Sequence, residues 1–441
     1  MSSIRHTGHH SRMSRIPGLG EDPEFAKLWV GGFVSSLGFH VSILAMQLTA
    51  AAVLGATPFE MGLLGAAQFL PRLAFGLVAG AWVDRVHRRP LMVATDLGRA
   101  ALLASVPLAF VAGRLSVPQL AVVSFGVGTL SLVFSVASNA YLPGLVGRER
   151  LVDANSRMSA AEAVAQIGGP NLAGLAVQVL TAPIAIALDA ASYVVSALCI
   201  GWIRRREPDP PPPDRRRPIL GEIREGLAVI TSSPILRTLI IAGANIGLFT
   251  GGFRGALIVL YLVELGVSPV AFGVIYGVGG AAALVGAVLA RRTARRLGIG
   301  PVLVGSQLLA ASLALVVPLA GFVPPDARLA FLIAGQIGLG LVAPTWAVVG
   351  GSLQQAVTPD RLLGRVNATQ HVVLGGMNPL GAIVGGAIAS IAGVQVTLVL
   401  AAMGAALSAA ILASSPVRGL RALPHIEPAG APGVPASPIV R

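Results

Sequence analysis

The chain has 441 residues, of which 54% are hydrophobic and only 12% charged, with a formal net charge of +13. That leaves too little polar surface for a soluble protein of this length, so lipid is the solvent. The lone Cys199 excludes an intrachain disulfide, and the basic excess gives no reason to propose nucleic acid as a partner when its arginines sit in short connections between apolar stretches.

Residues 1–27 form a basic N-terminal segment in which His6, His9 and His10 read as part of a solvated tail, with no metal expected. The apolar stretch after it is too long for a signal-peptide core and reads as an uncleaved first span. A bilayer core needs about 20 apolar residues per helix, because backbone amides find no partner in hydrocarbon outside their own helix. Spans are predicted at 28–54, 60–83, 90–112, 117–141, 158–180, 183–203, 236–263, 270–290, 300–322, 328–353, 366–391 and 394–413. Of the 32 basic residues, only Arg114 and, at the edge of the tenth span, Arg328 belong to odd-numbered connections, while Arg72, Arg99 and Arg254 lie within spans and Arg237 at the start of the seventh. Arg-rich short connections stay cytoplasmic, which puts both termini inside; weak attraction to anionic membrane lipid accompanies the charge.

Between the sixth and seventh spans the composition changes to Arg204–Arg206, Pro210–Pro213 and Arg215–Arg217, a semi-rigid solvated linker. Its far end, Ile219 to Ile230, has apolar residues at helical spacing opposite Glu222, Arg224 and Glu225, the pattern of an amphipathic helix on a membrane surface. The expected organisation is a segment 1–27, a six-helix bundle 28–203, a linker 204–235, a second six-helix bundle 236–413 and a disordered Pro/Gly/Ala-rich tail 414–441. The fold class is therefore an all-α membrane protein of 12 helices in two six-helix pseudo-repeats.

The halves resemble each other at matching places. Gly80-Ala-Trp-Val-Asp84-Arg85-Val-His-Arg88-Arg89 follows the second span, and Gly286-Ala-Val-Leu-Ala290-Arg291 follows the eighth. Arg150-Leu-Val-Asp-Ala-Asn155 precedes the fifth, and Arg361-Leu-Leu-Gly-Arg365-Val-Asn367 the eleventh. Such repeats place a substrate site near the midplane, between the halves.

The segment Gly80-x-x-x-Asp84-Arg85-x-x-Arg88-Arg89 resembles the signature loop of the major facilitator superfamily, and the resemblance covers nearly the whole chain. It implies a latch of Gly80, Asp84, Arg85, Arg88 and Arg89 that joins the halves in the outward-facing state, with Asp84 docking at the start of the eleventh span near Arg365. His87 replaces the usual glycine, and Ala290 stands in the second half where Asp84 stands in the first. Gly169-Pro170-x-x-Ala173-Gly174 in the fifth span resembles the motif of the antiporter branch, with Ala173 in place of one glycine. There Pro170 removes a backbone hydrogen bond and kinks the helix while small residues admit a neighbour. Asn378-Pro379 in the eleventh span is its counterpart, and packing kinks common in membrane helices are the plainer reading of both. The fourth span lacks the arginine often seen in proton-coupled members. Asp96-Leu-Gly-Arg99, Arg150 to Asn155 and Leu188-Asp189-Ala-Ala-Ser192-Tyr193 further resemble siderophore exporters and macrolide or multidrug efflux proteins.

Ionisable groups inside spans are costly and mark function or pairing. Asp96 and Arg99, on one face of the third span, are a structural ion pair or part of the coupling path. Glu162 in the fifth span and Asp189 in the sixth are candidates for carrying a coupling proton. The alternatives are a cytoplasmic arginine as partner for Glu162 and a helix-to-helix hydrogen bond for Asp189. Arg72 and Arg254 would favour an anionic substrate in a central cavity or pair with Asp189 or Glu264 as gates. His40 is a proton carrier or a hydrogen-bonded helix contact, and Gln47, Gln68, Asn245, Tyr276, Gln336 and Trp346 complete the candidate cavity lining.

The expected function is export of a small organic compound, a drug, siderophore or secondary metabolite, by alternating access against protons. Import or facilitated passage on the same fold, and a non-transporting sensor or assembly subunit using the basic linker, are the alternatives. No Gly-rich phosphate loop is present and Lys27 is the sole lysine, so neither an ATPase nor another enzyme is expected, nor a cofactor. The expected setting is a bacterial inner membrane, with the chain a monomer. Substrate identity has no local motif to read.

Overall fold

A computed structural model describes residues 22–83, 85–205, 207, 228, 230–359 and 362–424. These residues form helical rods in the order α1 (Pro23–Val53), α2 (Pro58–Val83), α3 (Arg88–Val111), α4 (Val117–Val146), α5 (Leu151–Leu180), α6 (Ala182–Gly201), α7 (Pro234–Glu264), α8 (Pro269–Leu297), α9 (Ile299–Phe322), α10 (Pro325–Ala356), α11 (Leu363–Ala392) and α12 (Val394–Ala413). Among the described residues, 11 helices are long and apolar enough to cross a membrane, α11 over Val373–Ala392. The 26-residue α2 is outside that set and carries Pro71 and Arg72 in its middle.

Helix starts follow local chemistry. Asp22 accepts hydrogen bonds from the amides of Glu24 and Phe25, with Pro23 in the first turn, and Ser233 and Ser268 cap α7 and α8 ahead of Pro234 and Pro269. Each side-chain oxygen satisfies an amide that the helix leaves free, and proline costs nothing where no amide bond is due. Three rods contain π turns, at Thr49–Val53 in α1, Gly247–Phe253 in α7 and Trp346–Gly350 in α10.

The repeat seen in sequence reappears as geometry. α5 has 30 residues, Thr181 joins it to the 20-residue α6, and in the second half the 30-residue α11 is joined to the 20-residue α12 by Gly393. Both joints share one backbone conformation, φ 80 and ψ 154 at Thr181 and φ 87 and ψ 156 at Gly393. Only glycine visits that region without strain, and Thr181 is the one described non-glycine residue with positive φ.

Three expected boundaries move. α5 begins at Leu151 rather than 158, α4 runs on to Val146 and α8 to Leu297. Hydropathy marks the part of a helix that meets lipid, whereas the hydrogen-bond ladder continues into water. A 30-residue helix is about 45 Å long, beyond the roughly 30 Å hydrocarbon core. The tail also departs from the expected disorder in its first residues. Pro416–Gly419 forms a 3-10 turn, Val417 is wholly buried, and the Gly300 amide donates to the Leu420 carbonyl at 2.9 Å. Those two apolar side chains pack with Leu303 and Leu412, and their burial outweighs the chain entropy that Pro, Gly and Ala favour. The amphipathic stretch from Ile219 and most of the linker lie outside the described residues.

The halves touch chiefly through two helix pairs, α2 with α11 and α5 with α8, and α7 also meets α1 and α2. Glycines permit the approach. Gly62 faces Gly386, Gly174 faces Gly273, and Gly277 lies against Asn171. Buried apolar residues of both halves form one cluster at this end, from Val41, Met61 and Ile186 to Leu257, Phe272 and Leu398. At the opposite end, where the arginines collect, the clusters are separate. One holds Phe25, Met92, Leu145 and Ile200, another Leu239, Ala290, Leu303 and Leu412. Among the described residues, one end of the molecule is sealed across the halves, and the basic end is split.

Candidate functional site

The first half encloses two adjoining cavities. One of about 320 Å³ is lined from α1 (Ser36, Phe39), α2 (Arg72), α3 (Arg99), α4 (Ser131, Phe134), α5 (Met158, Glu162) and α6 (Tyr193). The other, about 220 Å³, adds Ser42, Gln47, Gln68 and Asp189 and shares Phe39, Arg72 and Ser131 with the first. Their walls mix aromatic rings, methionines, hydroxyls and charges, the lining expected of a site for an organic molecule.

The charges are arranged in layers. Asp96 and Arg99 meet one turn apart on α3, both buried, as the guanidinium of Arg99 donates to the Asp96 carboxylate. The guanidinium also lies 4.4 Å from the Phe134 ring centroid and 4.1 Å from that of Tyr193. Two ring faces attract a cation electrostatically and fix its plane, so Arg99 is a rigid wall of the larger cavity. Asp189 is wholly buried one turn before Tyr193; the Ser192 hydroxyl donates to its Oδ1 at 3.0 Å. Its Oδ2 has no partner among the described residues, although Ser42 lies beside it. α1 comes close enough only because residue 38 is glycine. A Cβ there would overlap Ser192 Oγ and stand 2.5 Å from Asp189 Oδ1.

Glu162 pairs with α1 and not with a cytoplasmic arginine, the alternative that the sequence allowed. The Ser36 hydroxyl donates to Glu162 Oε2, and His40 Nε2 lies 3.2 Å from Oε1. Gly169 of the Gly-Pro segment sits directly on His40, whose Cβ a side chain at 169 would overlap. That segment therefore serves both neighbours of α5. Gly169 admits α1, while Pro170, Asn171 and Gly174 meet α8. In α11, Asn378 packs on Gly251 and Gly252 of the α7 π turn.

The remaining sequence candidates are dispersed. Gln47, Gln68 and Arg72 reach the first-half cavities. Arg254, Tyr276 and Gln336 line a separate cavity of about 80 Å³ in the second half. Trp346 lines another, of about 260 Å³, with Leu239, Gln354 and Gln370. Asn245 is a packing residue, because its amide nitrogen donates to Gly404 O at 2.8 Å and Ser408 Oγ at 2.7 Å. The expected gate pairs are absent among the described residues, where neither Arg72 nor Arg254 forms an ion pair with Asp189 or Glu264. Periodicity could not place these side chains, because neighbouring helices decide which face is inward.

Of the latch, Asp84 and the side chain of Arg365 lie outside the described residues, Gly80 closes no contact within 4 Å of a Cβ, and Arg85 is exposed. Arg88 and Arg89 hold their own half together. Their amides donate to Glu207 at 2.9 and 3.1 Å, and the Arg89 side chain donates to the carbonyls of Ile200 and Gly201 at the end of α6. Sequence reasoning missed Glu207, Gly38 and the Phe134–Tyr193 clamp. It also missed Arg328, which donates to the carbonyls of Leu265 and Ala320 at the sealed end. Only Glu207 had a local signal, as an acid directly after three arginines.

Residues 28–354 match the family model described as Major Facilitator Superfamily. The chain belongs to the major facilitator superfamily. Among its relatives, the multidrug efflux pump Tap of Mycolicibacterium fortuitum is 29% identical over 356 residues, 77% of this chain and 82% of Tap. Macrolide efflux protein A of Streptococcus pyogenes is 25% identical over 50% of this chain and 54% of its own. The uncharacterized transporter YfiS of Bacillus subtilis (strain 168) is 28% identical, and the match spans about half its length, 52%. Among solved structures, a bacterial homologue of the iron transporter ferroportin in its inward-facing state gives a TM-score of 0.70 at 16% identity over 88% of this chain and 98% of that one. The nucleoside transporter NupG gives 0.66 at 12% identity over 88% and 98%. At such identities these structures establish the superfamily fold. Major facilitator proteins carry small molecules across membranes.

Proposed function

We propose that this transporter exports a small amphiphilic organic compound in exchange for protons, with Asp189 carrying the proton. The observation that carries the reading is the wholly buried Asp189 carboxyl, with one unpartnered oxygen, on the wall of a cavity it shares with Gln47, Gln68 and Arg72. Protonation turns that oxygen from an unpartnered acceptor into a hydrogen-bond donor and removes a charge that is costly to bury alone. Loss of the proton leaves a charge that a cation, water or the nearby Arg72 must answer. Proton occupancy and cavity contents are thereby coupled through one side chain.

The twelve rods, α2 included, span a bacterial inner membrane as six helices plus six, with the arginine-rich end and both termini cytoplasmic by the charge bias. The split end then faces the cytoplasm, and the substrate enters the cavity from inside. Transport rocks one half against the other about the α2–α11 and α5–α8 contacts, and Asp84 with Arg365 latches the opposite state. Two relatives bear the names of efflux proteins, which favours export, and aromatic rings beside Arg72, Arg99 and Glu162 suit a compound with both apolar and charged parts. The chain works as a monomer.

The test is efflux of a panel of fluorescent drugs and siderophores from cells expressing wild type or Asp189→Asn, with and without a protonophore. Protonophore-sensitive efflux that disappears in the variant is the expected result. Efflux that stays protonophore-sensitive in Asp189→Asn would remove Asp189 from the coupling path, and accumulation in place of efflux would reverse the direction.

A further inference from the structure

The second half contains a buried cation with no carboxylate partner among the described residues. Arg254 is 7% exposed, and its Nε–H has no acceptor among the described residues. Arg99, the other buried arginine of the described residues, also leaves its Nε–H without an acceptor but has Asp96, the Ser131 hydroxyl and two ring faces around it. No described carboxylate pairs with Arg254, and Glu264, on the same rod, is exposed. The π turn Gly247–Phe253 ends at Arg254, and α7 restarts at Gly255; such turns recur at functional positions in helices.

Arg254 lines a cavity of about 80 Å³ whose polar members besides itself are Tyr276 and Gln336. Ile258, Leu262, Leu313, Val316 and Leu332 are among the apolar remainder. An isolated guanidinium in such surroundings is strongly disfavoured unless a counter-charge meets it. A phenol O–H and an amide NH₂ are further donors that an anion accepts at once. The size selects the ligand. Water occupies about 30 Å³ in the liquid, so the cavity takes one small ion with a water or two, and organic ligand sites begin near 300 Å³.

We propose that the second half binds a small monovalent inorganic anion, chloride or one of its size, between Arg254, Tyr276 and Gln336. The anion neutralises Arg254 and ties α7, α8 and α10 together, apart from the substrate cavities of the first half. This assignment does not depend on the direction of transport or on Asp189.

The experiment is thermal unfolding of the purified full-length protein in sodium chloride, bromide, nitrate, sulfate and gluconate at constant ionic strength. In wild type, chloride is expected to raise Tm saturably over gluconate by at least about 2 °C, with bromide and nitrate also giving a saturable rise and sulfate only the unsaturable rise of an excluded salt. Arg254→Met is expected to lose the response. Tyr276→Phe is expected to raise the half-saturating chloride concentration about tenfold, the effect of one hydrogen bond to an ion. A wild-type Tm equal in chloride and gluconate would overturn the proposal, as would an unchanged chloride response in Arg254→Met. Should Arg254→Met not fold, an unchanged half-saturating concentration in Tyr276→Phe overturns it.

Discussion

Replacing Gly38 by alanine puts one methyl group against the proposed proton site, where the packing of α1 on α6 leaves no room for it. The new Cβ overlaps Ser192 Oγ, lies 2.5 Å from Asp189 Oδ1 and 2.8 Å from Ser192 Cβ, against about 3.5–4.0 Å for ordinary contact. Rotating the Ser192 hydroxyl away removes the first overlap, but it gives up the 3.0 Å hydrogen bond to Asp189. The Cβ of Ser192 has no such escape, so α1 and α6 must part by close to 1 Å, comparable to the overpacking that costs about 1–3 kcal/mol. Losing a hydrogen bond to a carboxylate adds roughly 1.5 kcal/mol. Thermal unfolding should therefore fall by at least about 4 °C, and efflux should fall with it because Asp189 is displaced. The double variant Gly38→Ala/Ser192→Gly removes both serine contacts and leaves the Asp189 contact, so Tm should recover in part and efflux should not. Gly144→Ala, where a Cβ meets nothing within 4 Å, is the control and should match wild type. Wild-type Tm and wild-type efflux in Gly38→Ala would refute the close packing of α1 on Asp189.

At the sealed end, Gly62→Val would overlap the Ala382 carbonyl and press on Gly386 Cα, 2.9 Å from the added Cβ. The sealed state should lose population, and a cysteine at Leu64, buried there, should label about tenfold faster from outside in a Cys199→Ser background. An unchanged labelling rate would show that this contact does not seal the molecule. Thr181→Gly should raise Tm by about 2–4 °C. It relieves strain worth about 1–3 kcal/mol against the 0.5–1 kcal/mol, roughly, that glycine loses to chain entropy; a lower Tm would mean that Thr181 is held there by contacts worth more than the strain.

Legibility in the sequence varied with the range of the interaction. The Asp96–Arg99 pair was visible because three residues on a helix are one turn, and the cavity assignments of Gln47, Gln68 and Arg72 came from their being polar in apolar rods. Asn245 looked the same in sequence and turned out to hold α7 to α12 through Gly404 and Ser408. Nothing along α1 distinguishes Gly38 from Gly31 or Gly32, since only the arrival of α6 gives it a task. His40 and Glu162 lie 122 residues apart, and their meeting depends on Gly169 lying against α1.

The sequence alone determined that the chain is built of long apolar helical stretches, that its arginines gather in alternate connections and that its two halves repeat. Each is a property of composition or of residues adjacent along the chain, and a bilayer enforces them with no help from packing. Tertiary structure alone decided that the polar residues divide between two adjoining first-half cavities and two separate cavities in the second half. It also decided which end is sealed, and that Arg99 meets a carboxylate and two rings where Arg254 meets no carboxylate among the described residues. Those facts turn on which helix faces meet, and side chains of nearly equal hydropathy on every face of a lipid-embedded helix leave that choice to close fit between glycines and their neighbours.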